Sequence, residues 1–184
     1  MSRPAVFFDR DGVVNVSPGS GYVLNWEQFH FSHGIIEALR ICKERGYATV
    51  VVTSQQGVGK GLMSQADLDD IHARMQSELA RHDLAFDAIH ACACLADDPA
   101  CTCRKPSAEM ILAARDHLDL DLSRSWLIGD HDRDIQMAHN AGVPRTIRIL
   151  NDDRSVTVPA NITLDRIEEL PRALEQALGA GTAG

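Results

Sequence analysis

The chain has 184 residues, with 26 acidic and 18 basic side chains and a formal net charge of −8 when the histidines are neutral. The acidic balance argues against a nucleic acid or a membrane surface as partner, and no apolar run reaches the roughly 20 residues of a spanning helix. From length and composition we expect one domain over residues 1–178, a disordered tail over 179–184, a cytoplasmic location and a monomer.

Short apolar runs typical of buried strands alternate along the chain with helical patterns. The strand-like runs are Ala5–Phe8, Ala48–Val52, Phe86–Ala91, Ser125–Ile128 and Arg145–Ile149. The helical patterns are Ile35–Cys42, Ser64–Leu79, Ala108–Leu118, Asp134–Ala141 and Asp165–Leu178. This alternation predicts an α/β fold with a doubly wound parallel sheet, which binds ligands beyond the carboxyl ends of its strands.

Local signals mark several helix ends. Ser64 and Asp67 have the spacing of a capping box at a helix start. Gly46 and Gly142 are stop signals after helical patterns. Pro171 is expected to bend the last helix or to shift its start.

The first strand runs directly into the segment Asp9-Arg10-Asp11-Gly12. Residues two apart in an extended segment point the same way, so both carboxylates can face one pocket. Two acids this close repel each other unless a cation lies beside them, and Mg²⁺ prefers oxygen ligands. Taken alone, the motif is equally compatible with a solvated acidic turn.

Other polar residues follow other strands. Thr53-Ser54-Gln55 ends the second strand and can hold phosphate oxygens, while Asp130, Asp132 and Asp134 follow the fourth. Lys105 offers a positive charge to an anionic substrate. Each has an ordinary alternative: Thr53 as a helix cap, Lys105 as a solvated side chain, and Asp130 and Asp134 as partners of a helix dipole. Their order along the chain favours one joint site.

The chain carries four ordered segments, FFDRDGVVN, VVVTSQQG, CRKP and IGDHDRDIQMAHNAG, within residues 4–150. Together they resemble the motifs of the haloacid dehalogenase (HAD) superfamily of phosphohydrolases. The chain is most similar to the branch with the heptose bisphosphate phosphatases and the histidinol-phosphate phosphatases. Gly21-Tyr22-Val23 and the Phe29-x-Phe31 element resemble the heptose enzymes more closely.

The resemblance implies a phosphatase that works through a phosphorylated aspartate. Asp9 would attack phosphorus, and Asp11 would protonate the departing alkoxide and then help to activate water. Thr53 and Lys105 would stabilise the charge on the phosphoryl oxygens.

The resemblance also implies a Mg²⁺ site. Asp9, the backbone carbonyl of Asp11, and Asp130 would hold the ion, which would neutralise phosphoryl oxygens. Asp134 would orient Lys105 or the water shell of the metal.

Substrate contacts are implied at Gly21, Tyr22, Ser54, Gln55, Gln56, Arg104 and His131. Arg104 could clamp a second phosphate or another polar end of a monophosphate, and Tyr22 could instead be a rim aromatic. Three departures from the heptose enzymes stand out. The loop with Ser17 and Pro18 is longer, Ser54 replaces an Asn, and His131 replaces a Lys.

Four of the five cysteines are clustered within a short segment: Cys92, Cys94, Cys101 and Cys103. Four thiolates predict a closed, structural Zn²⁺ site, with a redox pair or unliganded thiols as alternatives. The resembling branch has a zinc loop here, with His in place of Cys94, and this loop would position Arg104 in the absence of a large cap domain. His90 and Cys42 are assigned to packing.

The leading hypothesis is therefore a phosphatase acting on a small phosphorylated metabolite, a heptose bisphosphate, with Mg²⁺ and Zn²⁺ as cofactors. Histidinol phosphate is the alternative substrate within the same chemistry. A non-catalytic, zinc-stabilised binding protein and a thiol redox protein are the alternatives from other functional classes.

Overall fold

The structure is a computed structural model that describes residues 2–151 and 156–179. Six parallel strands form one sheet in the order β3-β2-β1-β4-β5-β6. Their bounds are β1 Ala5–Phe8, β2 Ala48–Ser54, β3 Ala88–Cys92, β4 Trp126–Gly129, β5 Arg145–Ile149 and β6 Ile162–Leu164. The predicted doubly wound α/β fold is confirmed.

Helices cover both faces of the sheet. They are α1 Ile35–Glu44, α2 Gln56–Gly59, α3 Gln65–Ala80, α4 Glu109–Leu118, α5 Asp132–Ala141 and α6 Leu170–Gly179. β1 is buried on both faces, with Val6 and Phe8 in the apolar cluster beneath α1, α3 and α6. Ala5 and Phe7 face the cluster beneath α4 and α5. None of the helices in the described ranges is long and apolar enough to cross a membrane.

Several element bounds differ from the sequence predictions. Phe86 precedes β3 because its backbone N–H and carbonyl are bound by Gln76 rather than by a neighbouring strand. The last helix starts at Leu170 after a 3-10 turn over Ile167–Glu169, because Pro171 needs no hydrogen-bond donor in the first helical turn. That helix includes Gly179, whereas residues 180–184 of the expected tail lie outside the described residues.

The sheet reverses its winding direction beside β1, which has β2 on one side and β4 on the other. Doubly wound sheets open a crevice at such a switch point. The ladder continues just beyond the strand, where the Asp9 N–H donates to the Ile128 carbonyl at 2.9 Å. The segments that follow β1, β2 and β4 therefore meet at one edge.

Candidate active site

A buried lysine joins two buried carboxylates at the carboxyl edge of the sheet. Lys105 Nζ lies 2.7 Å from Asp9 Oδ1 and 2.6 Å from Asp134 Oδ1. Burial alone would lower the pKa of Lys105, but the charges of Asp134 and Asp9 outweigh it and raise that pKa. Lys105 is therefore a fixed cation, and it orients Asp9 towards the pocket.

The site contains more buried negative charge than Lys105 can balance. Asp9, Asp130 and Asp134 are at most 5% exposed, and each places an oxygen within 4.8 Å of the others. Burial, together with the charges of Asp134 and Asp130, raises the pKa of Asp9 to about 8 despite the opposing effect of Lys105. Three carboxylates with one ammonium leave a deficit that a divalent cation would remove. The oxygen donors therefore fit Mg²⁺.

Close packing around Gly12 places Asp130 beside the loop that follows β1. Gly12 has a φ of +91°, and a Cβ built there would lie 2.4 Å from Asp130 Oδ2. Asn151 Nδ2 donates to the Gly12 carbonyl at 2.8 Å and to Asp130 Oδ2 at 3.3 Å. Only glycine permits both this backbone conformation and this approach of the carboxylate.

The carboxylate of Asp11 is held by three side chains. Arg10 Nη2 lies 3.0 and 3.2 Å from its two oxygens, and Asn15 Nδ2 donates to Oδ1 at 3.0 Å. Gln55 Nε2 donates to Asp11 Oδ2 and also to Thr53 Oγ1. Burial would raise the pKa of Asp11, but Arg10, Asn15 and Gln55 lower it. Gln55 thus links Asp11 to Thr53.

The start of α5 is built around Asp134. Its Oδ2 accepts from the backbone N–H groups of Asp130 and His131 at 3.2 and 3.0 Å. His131 Nδ1 lies 2.5 Å from Asp130 Oδ1. A Cβ on Gly129 would lie 2.3 Å from the Asp134 Cβ, so this strand end requires glycine.

Asp132 does not join the carboxylate site, contrary to the sequence prediction. Its Oδ1 accepts from Arg148 Nη2 at 2.6 Å, and its two oxygens accept from the backbone N–H groups of Val158 and Thr157. The Thr157 hydroxyl also donates to Asp132, and it lowers the pKa of that carboxyl group most, followed by the two backbone N–H groups and Arg148. Asp132 therefore fastens the segment before β6 to the start of α5.

The pocket beside Asp9 continues outward into a polar compartment of about 230 Å³. Arg104 and Ser54, which line this compartment, each have one buried polar atom, Nη1 and Oγ, that has no hydrogen-bond partner among the described residues. This space, the outer compartment, is lined by Gly19, Ser20, Gly21, Tyr22, Ser54, Gln56, Arg104, His131 and Arg133. All the predicted substrate residues line this space except Gln55, which turns inward to Asp11.

Arg133 was missed by the sequence interpretation. It lies in the first turn of α5, lines both compartments of the pocket and forms no ion pair with any residue in the described part of the chain. A cation is unfavourable at a helix N-terminus, and this local conflict was the available signal. Asn151 carried no such signal, because only the fold brings it to Gly12.

The four clustered cysteines converge in space. Cys92 Sγ lies 3.6 Å from Cys101 Sγ, and Cys103 Sγ lies 3.7 Å from Cys94 Sγ and 3.8 Å from Cys101 Sγ. These distances exceed the S–S bond of about 2.0 Å in a disulfide. They match the separation of about 3.8 Å that a tetrahedral site with Zn–S bonds of about 2.3 Å requires. The thiol set therefore fits Zn²⁺, and His90 is not part of it.

Comparison with known proteins places this geometry in a family. A family model described as HAD-hydrolase-like matches residues 102–156. The D-glycero-beta-D-manno-heptose-1,7-bisphosphate 7-phosphatase of Salmonella typhi is 35% identical over 95% of this chain and 97% of its own length. The chain belongs to the HAD-like hydrolases.

Two further comparisons agree with that assignment. The D-glycero-alpha-D-manno-heptose-1,7-bisphosphate 7-phosphatase of Campylobacter jejuni is 36% identical over 84% of this chain and 86% of its own length. The D,D-heptose 1,7-bisphosphate phosphatase of B. bronchiseptica, solved with magnesium and phosphate, gives a TM-score of 0.81 at 27% identity. That match covers 94% of this chain and 98% of the solved one.

Membership in the HAD-like hydrolases confirms two sequence-based predictions. The resemblance to the heptose bisphosphate branch is confirmed, since the similar proteins carry that name. The prediction of a phosphatase-type enzyme is also confirmed, at the expense of the non-catalytic alternative.

Proposed function

We propose that this HAD-like hydrolase removes a phosphate from a heptose 1,7-bisphosphate and that Asp9 is its nucleophile. The observation that carries the proposal is the buried Lys105–Asp9 pair, which lies beside two further carboxylates at the mouth of a polar pocket. The relatives whose printed names contain this substrate are similar over nearly the whole chain. Histidinol phosphate remains the second candidate substrate for the same chemistry.

The reaction begins with attack of an Asp9 oxygen on phosphorus. A phosphorus–oxygen bond forms to Asp9, the bond to the sugar oxygen breaks, and Asp11 gives that oxygen a proton. Asp11 enters this step protonated, because the negative charge of the bound phosphate opposes the effect of Arg10, Asn15 and Gln55 on its pKa. Water then attacks the phosphorylated Asp9, Asp11 takes up the proton of that water, and inorganic phosphate leaves. Lys105 and Thr53 balance the negative charge on the phosphoryl oxygens in both steps.

Mg²⁺ belongs to this proposal because of the donor set around Asp9. Asp9, Asp130 and the backbone carbonyl of Asp11 would hold the ion, and Asp134 would keep Lys105 in place. When bound, the ion supplies the positive charge that the three buried carboxylates lack and neutralises phosphoryl oxygens.

The second phosphate of the substrate occupies the outer compartment in this proposal. Arg104 and Arg133 line it, so two guanidinium groups adjoin the same space. Ser54 lines it as well and adds a hydroxyl group. Guanidinium groups bind phosphate through paired hydrogen bonds, so this compartment suits a bisphosphate.

Zn²⁺ is the proposed structural metal of the loop between β3 and α4. The loop is too short to fold by apolar burial, so the metal would hold its shape. Cys103 immediately precedes Arg104 and Lys105, so this zinc site would position both residues. Four reduced thiols suit the cytoplasm, which we propose as the location.

Phosphate release with Mg²⁺ tests the function directly. The purified chain should release one phosphate from heptose 1,7-bisphosphate, with a kcat/KM well above those for histidinol phosphate and for hexose monophosphates. Phosphorus NMR of the product should show the 1-phosphate remaining and the 7-phosphate gone. A preference for histidinol phosphate would refute the substrate and leave the chemistry intact, whereas no release from any ester would refute both.

A further inference from the structure

His72 is a partly buried histidine near the site that the proposed reaction does not use. It lies on α3, and it lines neither compartment of the pocket. Its Nε2 lies 3.2 Å from Nη1 of Arg10. Because Arg10 can only donate, His72 must accept this hydrogen bond through an unprotonated ring nitrogen.

Arg10 is an unusual residue to find in the core. Its side chain is 0% exposed, and it lies between the two aspartates of the loop after β1. Nε and Nη2 donate to Asp11, and Nη1 donates to His72. Burying a guanidinium is costly unless its N–H groups are paired. The contact with His72 therefore adds to the hydrogen bonds with Asp11 that keep Arg10 in place.

The surroundings keep His72 neutral. Burial and the adjacent charge of Arg10 lower the pKa of His72 to about 4, and they outweigh Asp11 and Asp69, which raise it. A neutral imidazole can accept from Arg10 throughout the range in which the enzyme would work. The contact is thus a permanent part of the fold.

We propose that His72 is a positioning residue for the reaction and that it acts through Arg10 on the carboxyl group of Asp11. This proposal rests on the phosphatase function proposed above. His72 fixes the guanidinium plane, and that plane contacts both oxygens of Asp11. Without His72, Arg10 loses one of its fixed partners, and Asp11 is held less accurately beside the leaving oxygen.

Proton donation gives this role a specific signature. A sugar alkoxide is a poor leaving group and needs the proton of Asp11, whereas 4-nitrophenolate leaves without it. General acid catalysis contributes about 10²–10⁴-fold to rate, so a misplaced acid strongly slows the transfer of phosphate to Asp9 only for the first class of ester. The later attack of water, in which Asp11 acts as a base, is the same for both esters. A general structural defect would slow both classes alike.

The experiment compares kcat/KM for the preferred sugar phosphate and for 4-nitrophenyl phosphate, because kcat/KM reports the steps up to formation of phosphorylated Asp9, before Asp11 acts as a base. His72→Leu should lower kcat/KM on the sugar phosphate about tenfold and change kcat/KM on 4-nitrophenyl phosphate less than about twofold. His72→Gln restores an acceptor for Arg10 and should recover most of the lost rate.

Gln76 provides a matched control on the same helix. It makes two hydrogen bonds of 2.9 Å with the Phe86 backbone, and neither bond involves a residue of the candidate active site. Gln76→Leu should lower thermal stability at least as much as His72→Leu, yet leave the ratio of the two kcat/KM values unchanged.

Equal loss on both esters in His72→Leu would overturn the proposal, and so would a failure of His72→Gln to recover the rate. If His72→Leu does not fold, His72→Phe replaces it, and failure of both to fold would assign His72 to folding alone. Wild-type turnover of both esters is measured first, so absence of phosphatase activity is detected separately.

Discussion

Asp9 is the residue on which the proposed chemistry depends, and its neighbours explain its environment. Lys105 and the backbone N–H of Arg10 both contact Oδ1, at 2.7 and 2.8 Å. These donors fix the carboxylate group, while burial and the nearby carboxylates raise its pKa. A cation bound at this site would restore its negative charge and with it the capacity to attack phosphorus.

Asp9→Asn should abolish turnover without unfolding the chain. The amide keeps the size of the side chain but cannot form the phosphorylated intermediate, so kcat should fall by more than about a thousandfold. Asp116→Asn is the control, because Asp116 is exposed and pairs only with Arg115 among the described residues. Circular dichroism should match wild type for both variants, and unchanged turnover in Asp9→Asn would exclude the aspartyl-phosphate route.

Arg104 and Arg133 should determine preference for a bisphosphate. Arg133→Met keeps the apolar stem and removes the charge, so kcat/KM for the bisphosphate should fall about 10–100-fold, in line with the loss of charged hydrogen bonds. Values for a sugar monophosphate should change less than about threefold. Arg81→Met is the control, since Arg81 is exposed and pairs with Glu78 outside the pocket. Parallel losses on both substrates would contradict a role in binding a second phosphate.

At the residue scale, the sequence predicted where the side chains at the ends of strands and directly after them would lie. Asp9, Asp11, Thr53 and Asp130 all lie at the predicted edge, because parallel strands end there together. Asp132 was misplaced, since its contacts with Arg148 and the segment before β6 depend on the fold. Contacts between distant residues leave no local pattern to read.

At the scale of elements, the loop between β3 and α4 connects the thiol cluster to the catalytic edge. Gly59 at the end of α2 packs against it so closely that a Cβ there would lie 2.5 Å from the Ala93 carbonyl oxygen. Cys92 is buried at the end of β3, and Cys103 adjoins the segment that carries Lys105. Packing against Gly59 therefore fixes one part of the loop, and Zn²⁺ at the proposed site would fix the other.

Loss of one thiol should release both the metal and the loop. Cys101→Ser should reduce bound zinc from about one ion per chain to a small fraction, because three thiolates bind it far more weakly than four. kcat/KM for the bisphosphate should fall about 10–100-fold as Arg104 loses its position. Elemental analysis and limited proteolysis of the loop would measure these changes.

Cys42→Ala is the matched control, because Cys42 is a fully buried thiol remote from the cluster. It should keep a full complement of zinc. Full zinc content in Cys101→Ser would contradict the four-thiolate site, whereas a metal-free wild type would contradict zinc binding altogether.

The long periodic helix α3 was predicted well, whereas the short elements α2 and β6 were missed. The pattern from Ser64 onward gave the long helix α3 and its capping box, which the structure contains. The three residues of β6 and the four of α2 are too short to show a period. Such elements form because the finished sheet and its loops offer them partners.

At the scale of the whole molecule, His72 couples stability to pH. The unfolded chain takes up a proton on this histidine near pH 6.5, while the folded chain does so only near pH 4. Between these values the unfolded state binds more protons, so the contribution of His72 to stability is fully present above about 6.5 and declines as the pH falls.

His72→Gln should therefore flatten the decline in stability under acidic conditions. Urea unfolding at several pH values should show wild type losing more free energy of unfolding than the variant between pH 6.5 and about 4. Gln retains the acceptor for Arg10, so the contact itself is preserved. Identical slopes for both proteins would mean that His72 titrates alike in the folded and unfolded chains.

The overall architecture followed from the alternation of buried strands and amphipathic helices, because right-handed crossovers leave few other arrangements. The shape of the outer compartment could not be predicted in this way, because it depends on loops. Residues 19–22 and the cysteine loop meet there only after the sheet has formed. The catalytic edge was thus predictable, while the walls that select the substrate were not.

Cys103, Arg104 and Lys105 are consecutive, so one peptide segment carries a thiol of the proposed zinc site, a guanidinium that lines the outer compartment and the ammonium group that contacts Asp9. Inserting even one residue between them would separate functions whose spacing the backbone now dictates. During evolution, new substrate preferences would have to arise by exchanging side chains at Arg104 or by remodelling the opposite wall. Lengthening this segment is not an available route.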